Sequence, residues 1–297
     1  GYCRDVYISG DSVFVAAGQA GIQLWDISTI TAPTLVWKKS LSELGVSKEI
    51  SQVEYEPSIQ QLFALESNER PIHLDLSKGD TVSVVGQFSS EKTKEFRVIT
   101  NNVNSFTCYA ADFDDGLKTS TFEFDSSFGL WFNTSGEEIA SVGNPNGIDI
   151  LGDEIVLTLD QLGIEVFRND NGIITQNYHY DLDGNARAVL LQGWATFVAC
   201  EEAGAYFLQI DPSAEFQYKA QFAKDLFVTH VAVNGSQIAL SCASNGVALY
   251  QLPSVEGNSI IAERGIHDIG YVYHSEFSDG YLFAASREGL QIFEIEE

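Results

Sequence analysis

Apolar and polar residues alternate along nearly the whole chain, and no long helical periodicity competes with that alternation. The first unit shows it clearly, with alternating stretches at 5–9, 12–16 and 22–26 separated by a tight turn and a glycine turn. Alternation with a period of two is typical of strands that pack on one face. The chain is therefore predicted to be all-β.

The three-strand unit recurs along the chain. Positions equivalent to the end of the second strand are Ala16, Ala64, Cys108, Thr158, Ala199, Ser241 and Ala284. A glycine follows this position by five residues in five of the units, at Gly21, Gly163, Gly204, Gly246 and Gly289. Small repeated sheets bury their faces by packing radially against their neighbours. The sequence therefore predicts a seven-bladed β-propeller, with residues 1–297 forming one domain.

Two of the seven blades depart from the repeat. The chain reaches Glu297 just after a third strand, so blade 7 is expected to lack its outer strand within this chain, and residues upstream of Gly1 would supply it. In blade 3 the matching glycine is Gly129, much later than elsewhere, which predicts a loop insertion at about 112–127. Its acidic residues are a candidate partner interface, with a drifted surface hairpin as the alternative: Asp112, Asp114, Asp115, Glu123 and Asp125.

The first blade resembles the LVIVD repeat. The resemblance rests on the segments at 4–10, 13–18 and 21–28; blades 4 to 7 match in outline. It implies a β-propeller of the kind found in secreted or surface-attached microbial proteins. The family shares a scaffold and no catalytic residues, so the resemblance transfers no functional site.

The charge balance restricts the partners. There are 16 Lys and Arg against 42 Asp and Glu, a formal charge of −26. Such a field repels phosphate backbones and anionic lipids, because nucleic-acid binding depends on cationic groups. No apolar run approaches the roughly 20 residues that a membrane span needs. We therefore expect no nucleic-acid partner and no membrane span. Plain solubility is the simplest explanation of the acidity, and calcium-rich or salty surroundings or a basic partner are the alternatives.

Two further features favour an extracellular or cell-surface location. The chain contains no methionine, as expected of a chain from which a targeting segment has been removed. Sequons at Asn133 and Asn234 would accept glycans outside the cell, although Asn234-Gly235 is also typical of a hairpin turn.

Polar residues cluster where first strands begin and second strands end, which in a propeller surround one mouth of the central channel. The predicted binding face consists of Arg4, Asp5, Arg97, Asn146, Arg187, His230, Asp160 and Glu201. Mixed cations, carboxylates and imidazole around one cavity are typical of a polar binding site. The alternative is that these groups pair with one another and join adjacent blades.

No catalytic motif appears in a fitting context. The leading hypothesis is therefore a non-enzymatic scaffold that presents one face to a protein or glycan partner, on the cell surface, in an extracellular assembly or within a longer chain. The alternative is a hydrolase or lyase that acts on a sugar or polyanion at the channel mouth. Its histidines would perform acid–base chemistry and its arginines would hold an anion: His230, His274, Arg97 and Arg187.

Metal and thiol chemistry is weakly indicated. Asp181, Asp183 and Asn185 place oxygen ligands at alternate positions, as calcium loops do, but the glycine and bidentate glutamate of an EF-hand are missing. The same residues are ordinary turn formers. We expect no cofactor, with calcium as the alternative, and no disulfide among the four cysteines.

Overall fold

The chain is seen in a computed structural model whose described residues are 2–77, 82–193, 195–210, 216–252 and 261–295. These residues form seven antiparallel β-sheets that follow one another along the chain, together with one short helix. They divide into two compact units, residues 1–140 and 141–297.

The first unit contains sheets 1 to 3. Sheet 1 consists of β1 (Asp5–Ser9), β2 (Ser12–Ala16), β3 (Ile22–Asp26) and β4 (Thr34–Lys39). Helix α1 (Leu41–Leu44) precedes sheet 2, which consists of β5 (Ile50–Glu56), β6 (Gln61–Glu66), β7 (Pro71–Asp75) and β8 (Ser83–Gln87). Sheet 3 consists of β9 (Thr93–Asn102), β10 (Ser105–Asp112), β11 (Gly116–Asp125), β12 (Leu130–Ser135) and the short β13 (Glu138–Ile139).

The second unit contains sheets 4 to 7. Sheet 4 consists of β14 (Gly147–Leu151), β15 (Glu154–Thr158), β16 (Ile164–Asp170) and β17 (Ile173–Tyr180). Sheet 5 consists of β18 (Ala188–Gln192), β19 (Ala195–Ala199), β20 (Ala205–Ile210) and β21 (Phe216–Phe222). Sheet 6 consists of β22 (His230–Asn234), β23 (Gln237–Ser241), β24 (Val247–Gln251) and β25 (Ala262–His267), and sheet 7 of β26 (Val272–Ser278), β27 (Tyr281–Ser286) and β28 (Gly289–Glu294).

The predicted fold class, an all-β seven-bladed β-propeller, is confirmed, and the last sheet has three strands in the described residues. All seven predicted second-strand positions lie in the second strands of their sheets. The apolar residues of the alternation that predicted the strands pack between consecutive sheets within each unit. Phe14 and Ile22 of sheet 1, for example, pack with Val53 and Leu62 of sheet 2 in one buried cluster.

Consecutive sheets are also joined by their backbones. A residue in the turn after the second strand forms an isolated bridge with the segment that begins the next sheet. We call this bridge the inter-sheet clasp, and it joins Gly18 to Ile50, Asp160 to Ala186, Glu201 to Val228 and Ala243 to Val272. The clasp at Glu201 has two backbone hydrogen bonds with Val228, each 2.9 Å long. The first residue of each of these four pairs has a positive φ.

The turn glycines explain why the repeat is regular. In sheets 1, 4, 5 and 6 the residue after the second strand donates its N–H to the glycine carbonyl at 2.8 Å, and each glycine has a φ between 77° and 83°. Left-handed backbone of this kind favours glycine. Gly289 differs, since it opens β28 after a two-residue turn in which Ser286 pairs with Gly289. The matched spacing in sheet 7 therefore comes from a different turn.

The predicted loop insertion at about 112–127 in blade 3 is wrong. Most of that stretch is β11, which pairs with β10 along its length from Ser105–Glu123 to Asp112–Gly116. The true turn lies at 113–115 and leads into Gly116, the first residue of β11, which has a φ of 90°. Gly129 instead lies in the turn between the third and fourth strands. Matching Gly129 to the glycines of the other blades made a long third strand look like a loop.

Candidate functional site

At the start of sheet 1, Arg4 is held by an acid from the neighbouring sheet. Its Nη2 lies 2.8 and 2.9 Å from the two carboxylate oxygens of Glu49, and its Nε lies 3.3 Å from one of them. Fork-shaped pairing of this kind is strong and directional for arginine. The guanidinium predicted to face a ligand thus joins sheet 1 to the segment that leads into sheet 2.

Asp5 is almost entirely buried, with 6% of its surface exposed. Its Oδ2 accepts a hydrogen bond from the backbone N–H of Val53 at 2.9 Å. Burial raises the pKa of Asp5 to about 7, while the Val53 N–H and the charge of Arg97 act in the opposite direction. Arg97 itself pairs with Glu95 at 2.8 Å and donates to the carbonyl of Phe96 at 3.0 Å.

The predicted residues of the second unit lie in or beside the clasps. Asp160 and Glu201 are the left-handed clasp residues of sheets 4 and 5. The amide of Asn185 donates to the carboxylate of Glu201 at 3.0 Å. Asn146 and Arg187 donate their backbone N–H groups to Thr158 and Ala199, the last residues of the second strands beside them. The Arg187 side chain is exposed.

The structure brings His230 and His274 together. They lie on the first strands of sheets 6 and 7, and their ring centroids are 3.9 Å apart at an interplanar angle of 35°. Ser241 pairs with His230 across β22 and β23, and Ser275 follows His274 on β26; the two serine hydroxyls are 3.0 Å apart, and both residues are fully buried. Of the four residues predicted for catalysis, Arg97 belongs to the first unit, and Arg187, His230 and His274 belong to the second.

Within each unit, therefore, several groups of the predicted binding face join sheet to sheet. Other side chains, which the sequence analysis did not single out, also join neighbouring sheets. Asp149 of sheet 4 accepts a hydrogen bond from the backbone N–H of Leu191 in sheet 5 at 2.7 Å. The amide of Gln52 likewise exchanges hydrogen bonds of 2.8 and 3.1 Å with the backbone of Phe96. No sequence signal marks these residues in advance, because each depends on which backbone N–H the next sheet brings within reach.

The acidic residues of blade 3 do not form one cluster. Asp112 is buried at the end of β10, where its Oδ2 accepts the N–H groups of Glu91 and Lys92 at 2.9 and 3.2 Å. Asp114 and Asp115 pair with Lys92 and Lys118 at the same turn. Glu123 and Asp125 lie at the far end of the β10–β11 hairpin. The predicted interface is thus divided between the two ends of the hairpin.

The far end of that hairpin carries a surface that sequence reasoning missed. A hollow of about 410 Å³ is lined by residues of β11, of β12 and of the turn between them: Glu123, Phe124, Asp125, Ser126, Phe132 and Thr134. Phe128, Leu130 and Phe132 beside it are 72%, 49% and 44% exposed. The signal was the apolar run Phe128-Gly129-Leu130-Trp131-Phe132, which the assumed loop obscured.

The calcium candidates take part in protein contacts. The hydroxyl of Tyr206 donates to Asp183 at 3.3 Å, and Asn185 uses its amide nitrogen towards Glu201. Asp181 is exposed. No group of three or more His, Cys, Asp or Glu side chains in the described part of the chain is placed to hold a metal ion.

The four cysteines, predicted to be unbridged, are buried, and none of them forms a disulfide. Among the described residues, no helix is long and apolar enough to cross a membrane.

The sheets and their order define a β-propeller that resembles WD40 structures. The solved structure of RRP9 WD40 repeats is similar, with a TM-score of 0.76 and 11% identity over 99% of this chain and 94% of that one. The Myceliophteria thermophila Cps50 (Swd1) β-propeller domain has a TM-score of 0.73 and 15% identity, with 100% and 98% covered. Saccharomyces cerevisiae Sqt1 has a TM-score of 0.68 and 11% identity, with 100% and 96% covered.

These identities show a shared fold and nothing more about this chain. No protein-family model matches the sequence, so the LVIVD repeat is not identified by this comparison. No curated protein matches it either.

Proposed function

We propose that this chain is a non-enzymatic scaffold that binds a protein partner within a larger assembly. The observation that carries the proposal is the group of exposed apolar side chains on β12 and in the turn before it: Phe128, Leu130 and Phe132. Exposed apolar side chains grouped in one place mark interaction surfaces. The neighbouring propellers of known structure support the proposal, since WD40-like propellers commonly bind proteins.

The polar groups at the starts of the sheets support the same proposal, because they form contacts within the protein that join neighbouring sheets. Arg4 is paired with Glu49, and Asp5 accepts a backbone N–H from Val53. Groups engaged in this way hold the blades in register and give a rigid platform. Function on rigid repeat scaffolds is then carried by the surfaces that the scaffold exposes.

We further propose an extracellular or cell-surface location, in the manner of LVIVD-repeat proteins. The segments of blade 1 that resemble that repeat support it, as does the exposed position of Asn133 in its sequon on β12. The charge of −26 argues against nucleic acid as the partner. A glycan is the alternative partner.

The test is the native mass of the protein after gentle extraction from the cells that produce it. We expect a particle heavier than one chain of 32.6 kDa, containing a second protein in fixed stoichiometry. That protein, purified separately, should rebuild the particle when it is mixed with the purified chain. A lone chain that rebuilds no particle with any co-purifying protein would contradict the proposal.

One observation favours a second candidate, a hydrolase or lyase acting on a sugar or polyanion. The adjacent rings of His230 and His274, whose centroids are 3.9 Å apart, place two proton-transfer groups side by side. In this reading, replacing both histidines with alanine abolishes turnover of such a substrate while thermal stability is retained. Unchanged activity in the double variant would exclude these residues as the acid–base pair.

A further inference from the structure

The third sheet ends in an edge strand, β12, that carries exposed apolar side chains. Strand β12 pairs with β11 on one side, and no described strand pairs with it on the other. An edge strand directs alternate backbone N–H and C=O groups outward, which is a template for adding another strand. Edge strands of soluble proteins are usually protected by charge or by a bulge on the strand. Strand β12 has such an irregularity near its end, between the pairs Asn133–Phe122 and Ser135–Thr121, but the regular stretch before it exposes Leu130 and Phe132.

The side chains around this edge form one continuous surface. The rings of Phe128 and Phe132 contact each other edge to face, with centroids 6.2 Å apart. Trp131, which alternates with them, instead packs against Phe124 and Phe106. We define the β12 edge surface as the partly buried Asp125 together with four exposed residues, Glu123, Phe128, Leu130 and Phe132.

The two carboxylates of this surface differ from the other acids of sheet 3. At the opposite end of the hairpin, Asp114 pairs with Lys92, and Lys118 pairs with Asp115 and Glu138. Glu123 and Asp125 form no ion pair with a described residue. One oxygen of Asp125 accepts the backbone N–H of Ser127 at 2.8 Å. Two carboxylates that pair with no cation of the described residues therefore line a hollow with aromatic walls.

Resting on the function proposed above, we propose that the β12 edge surface binds an extended, basic segment of the partner protein. The segment adds as a strand along β12. Its Lys or Arg side chains reach Glu123 and Asp125, and their apolar stems lie over Phe128 and Phe132. An acidic or phosphate-bearing segment is repelled by a chain whose net charge is −26.

The probe is an eight-residue synthetic peptide in which Lys or Arg alternates with Val, with a fluorescent label for anisotropy. A second peptide has Glu in place of each cation. We expect the basic peptide to bind the full chain and the acidic peptide not to bind. Raising the salt from about 20 mM to about 200 mM should weaken binding several-fold, because the attraction is between exposed charges.

Variants of the surface separate its parts. Phe132→Ser should weaken peptide binding about tenfold by removing the aromatic wall, and Glu123→Gln with Asp125→Asn should weaken it by a similar factor while reducing the salt dependence. Matched controls are Val36→Ser on β4, an edge residue 55% exposed, and Asp114→Asn at the other end of the hairpin. Both controls should bind within about twofold of the wild type.

Backbone addition has its own test. N-methylation of alternate peptide residues on one edge should abolish binding, and methylation of the other edge should not, since only one edge of an added strand pairs with β12. Equal loss from both methylated peptides would overturn strand addition. The melting temperature of each variant shows that it is folded; Phe132 and Glu123 are exposed, so little change is expected.

Besides equal loss from both methylated peptides, three results would overturn the proposal: no binding of the basic peptide, equal binding by Phe132→Ser, or binding of a neutral glucose oligosaccharide that Phe132→Ser abolishes. The last result would assign the surface to a glycan. If the co-purifying protein rebuilds the particle while the basic peptide fails to bind, the scaffold function stands and this docking mode falls. If the basic peptide binds but the chain forms no particle with another protein, the docking mode stands and the scaffold function falls.

Discussion

Two buried titratable side chains respond to pH in opposite directions. Asp5 lies on β1, and its carboxyl group accepts a hydrogen bond from the N–H of Val53. His73 lies on β7, and its ring is surrounded by aromatic rings. In both cases burial disfavours the charged form. For an acid this raises the pKa, and for a base it lowers the pKa, so their effects on stability have opposite signs.

For Asp5 we expect stability to fall as the pH rises. Its pKa is raised by burial to about 7, so the native state holds a proton that the unfolded state releases above its ordinary pKa. The contribution is complete at low pH and is lost as the pH rises through about 7. Asp5→Asn keeps an oxygen for Val53 and removes the charge. We therefore expect a gain on the order of 2 kcal/mol in the free energy of unfolding at pH 8.

Urea unfolding of the wild type and of Asp5→Asn at pH 5 and pH 8 measures this difference. The gain should be present at pH 8 and largely absent at the lower pH. A loss of stability at pH 8 would show instead that the ionised carboxylate is stabilised by Arg97.

For His73 we expect the opposite dependence. Burial lowers its pKa to about 3, with Asp75 acting weakly the other way. The native state excludes a proton that the unfolded state takes up, so this contribution is present above the ordinary histidine pKa and is lost as the pH falls from about 6.5 towards 3. Its Nε2 bonds Gln61 at 2.5 Å, and a charged ring is not accommodated among Phe63, Phe106 and Trp131.

His73→Phe, made in the Asp5→Asn background, isolates this effect. The variant loses about 1 kcal/mol at neutral pH because the Gln61 carbonyl loses its partner, and its stability should fall less steeply between pH 6.5 and pH 4. Parallel pH profiles for the two proteins would contradict the assignment to His73.

At the scale of the element, the turn that joins the second strand of a sheet to its third strand depends on its glycine. Gly163 has a φ of 77°, and an added Cβ would lie 2.1 Å from the carbonyl oxygen of Tyr180 and 2.6 Å from the nitrogen of Leu182. Gly152 of the same sheet also has a positive φ, 61°, but an added Cβ there meets no atom within 4 Å. The pair separates steric contact from backbone strain.

We expect Gly152→Ala to cost about 1 kcal/mol, the cost of left-handed backbone alone. Gly163→Ala should cost more than about 3 kcal/mol, because two backbone atoms have to move. Free energies from urea unfolding provide the comparison. Equal costs would mean that the turn shifts freely and that the glycine spacing reflects φ only.

The same turns show which parts of the structure could be predicted from the sequence. Gly21, Gly163, Gly204 and Gly246 were predictable because their φ allows little else, and that requirement recurs with the repeat. In sheet 3 the turn at 113–115 follows a longer second strand, so counting from Cys108 misses it. The joining role of Asp5 and Asp149 was not predictable, because it depends on which backbone N–H the next sheet brings within reach.

At the scale of the molecule, the formal charge of −26 acts against the compact state through self-repulsion. Added salt screens such repulsion over about 10 Å at 0.1 M. We therefore expect the melting temperature to rise by a few degrees when NaCl is raised from about 10 mM to about 150 mM. Sucrose at matched osmolarity is the control for solvent effects that do not depend on charge.

A fall in melting temperature on adding NaCl would contradict this expectation. It would mean that ion pairs such as Arg4–Glu49 outweigh the general repulsion. The same measurement on the charge-neutralised β12 surface variant shows whether Glu123 and Asp125 contribute to that repulsion.

The inter-sheet clasp has a consequence for how this protein opens. The amide protons of Ala186 and Val228 are bonded to the turn of the preceding sheet, at Asp160 and Glu201. Either proton exchanges with deuterium only when two neighbouring sheets part, whereas the amides inside a sheet remain protected until that sheet unravels. The exchange rates of these two amides therefore measure local opening between neighbouring blades. Ala186 gives the free energy of separating sheets 4 and 5, and Val228 that of separating sheets 5 and 6.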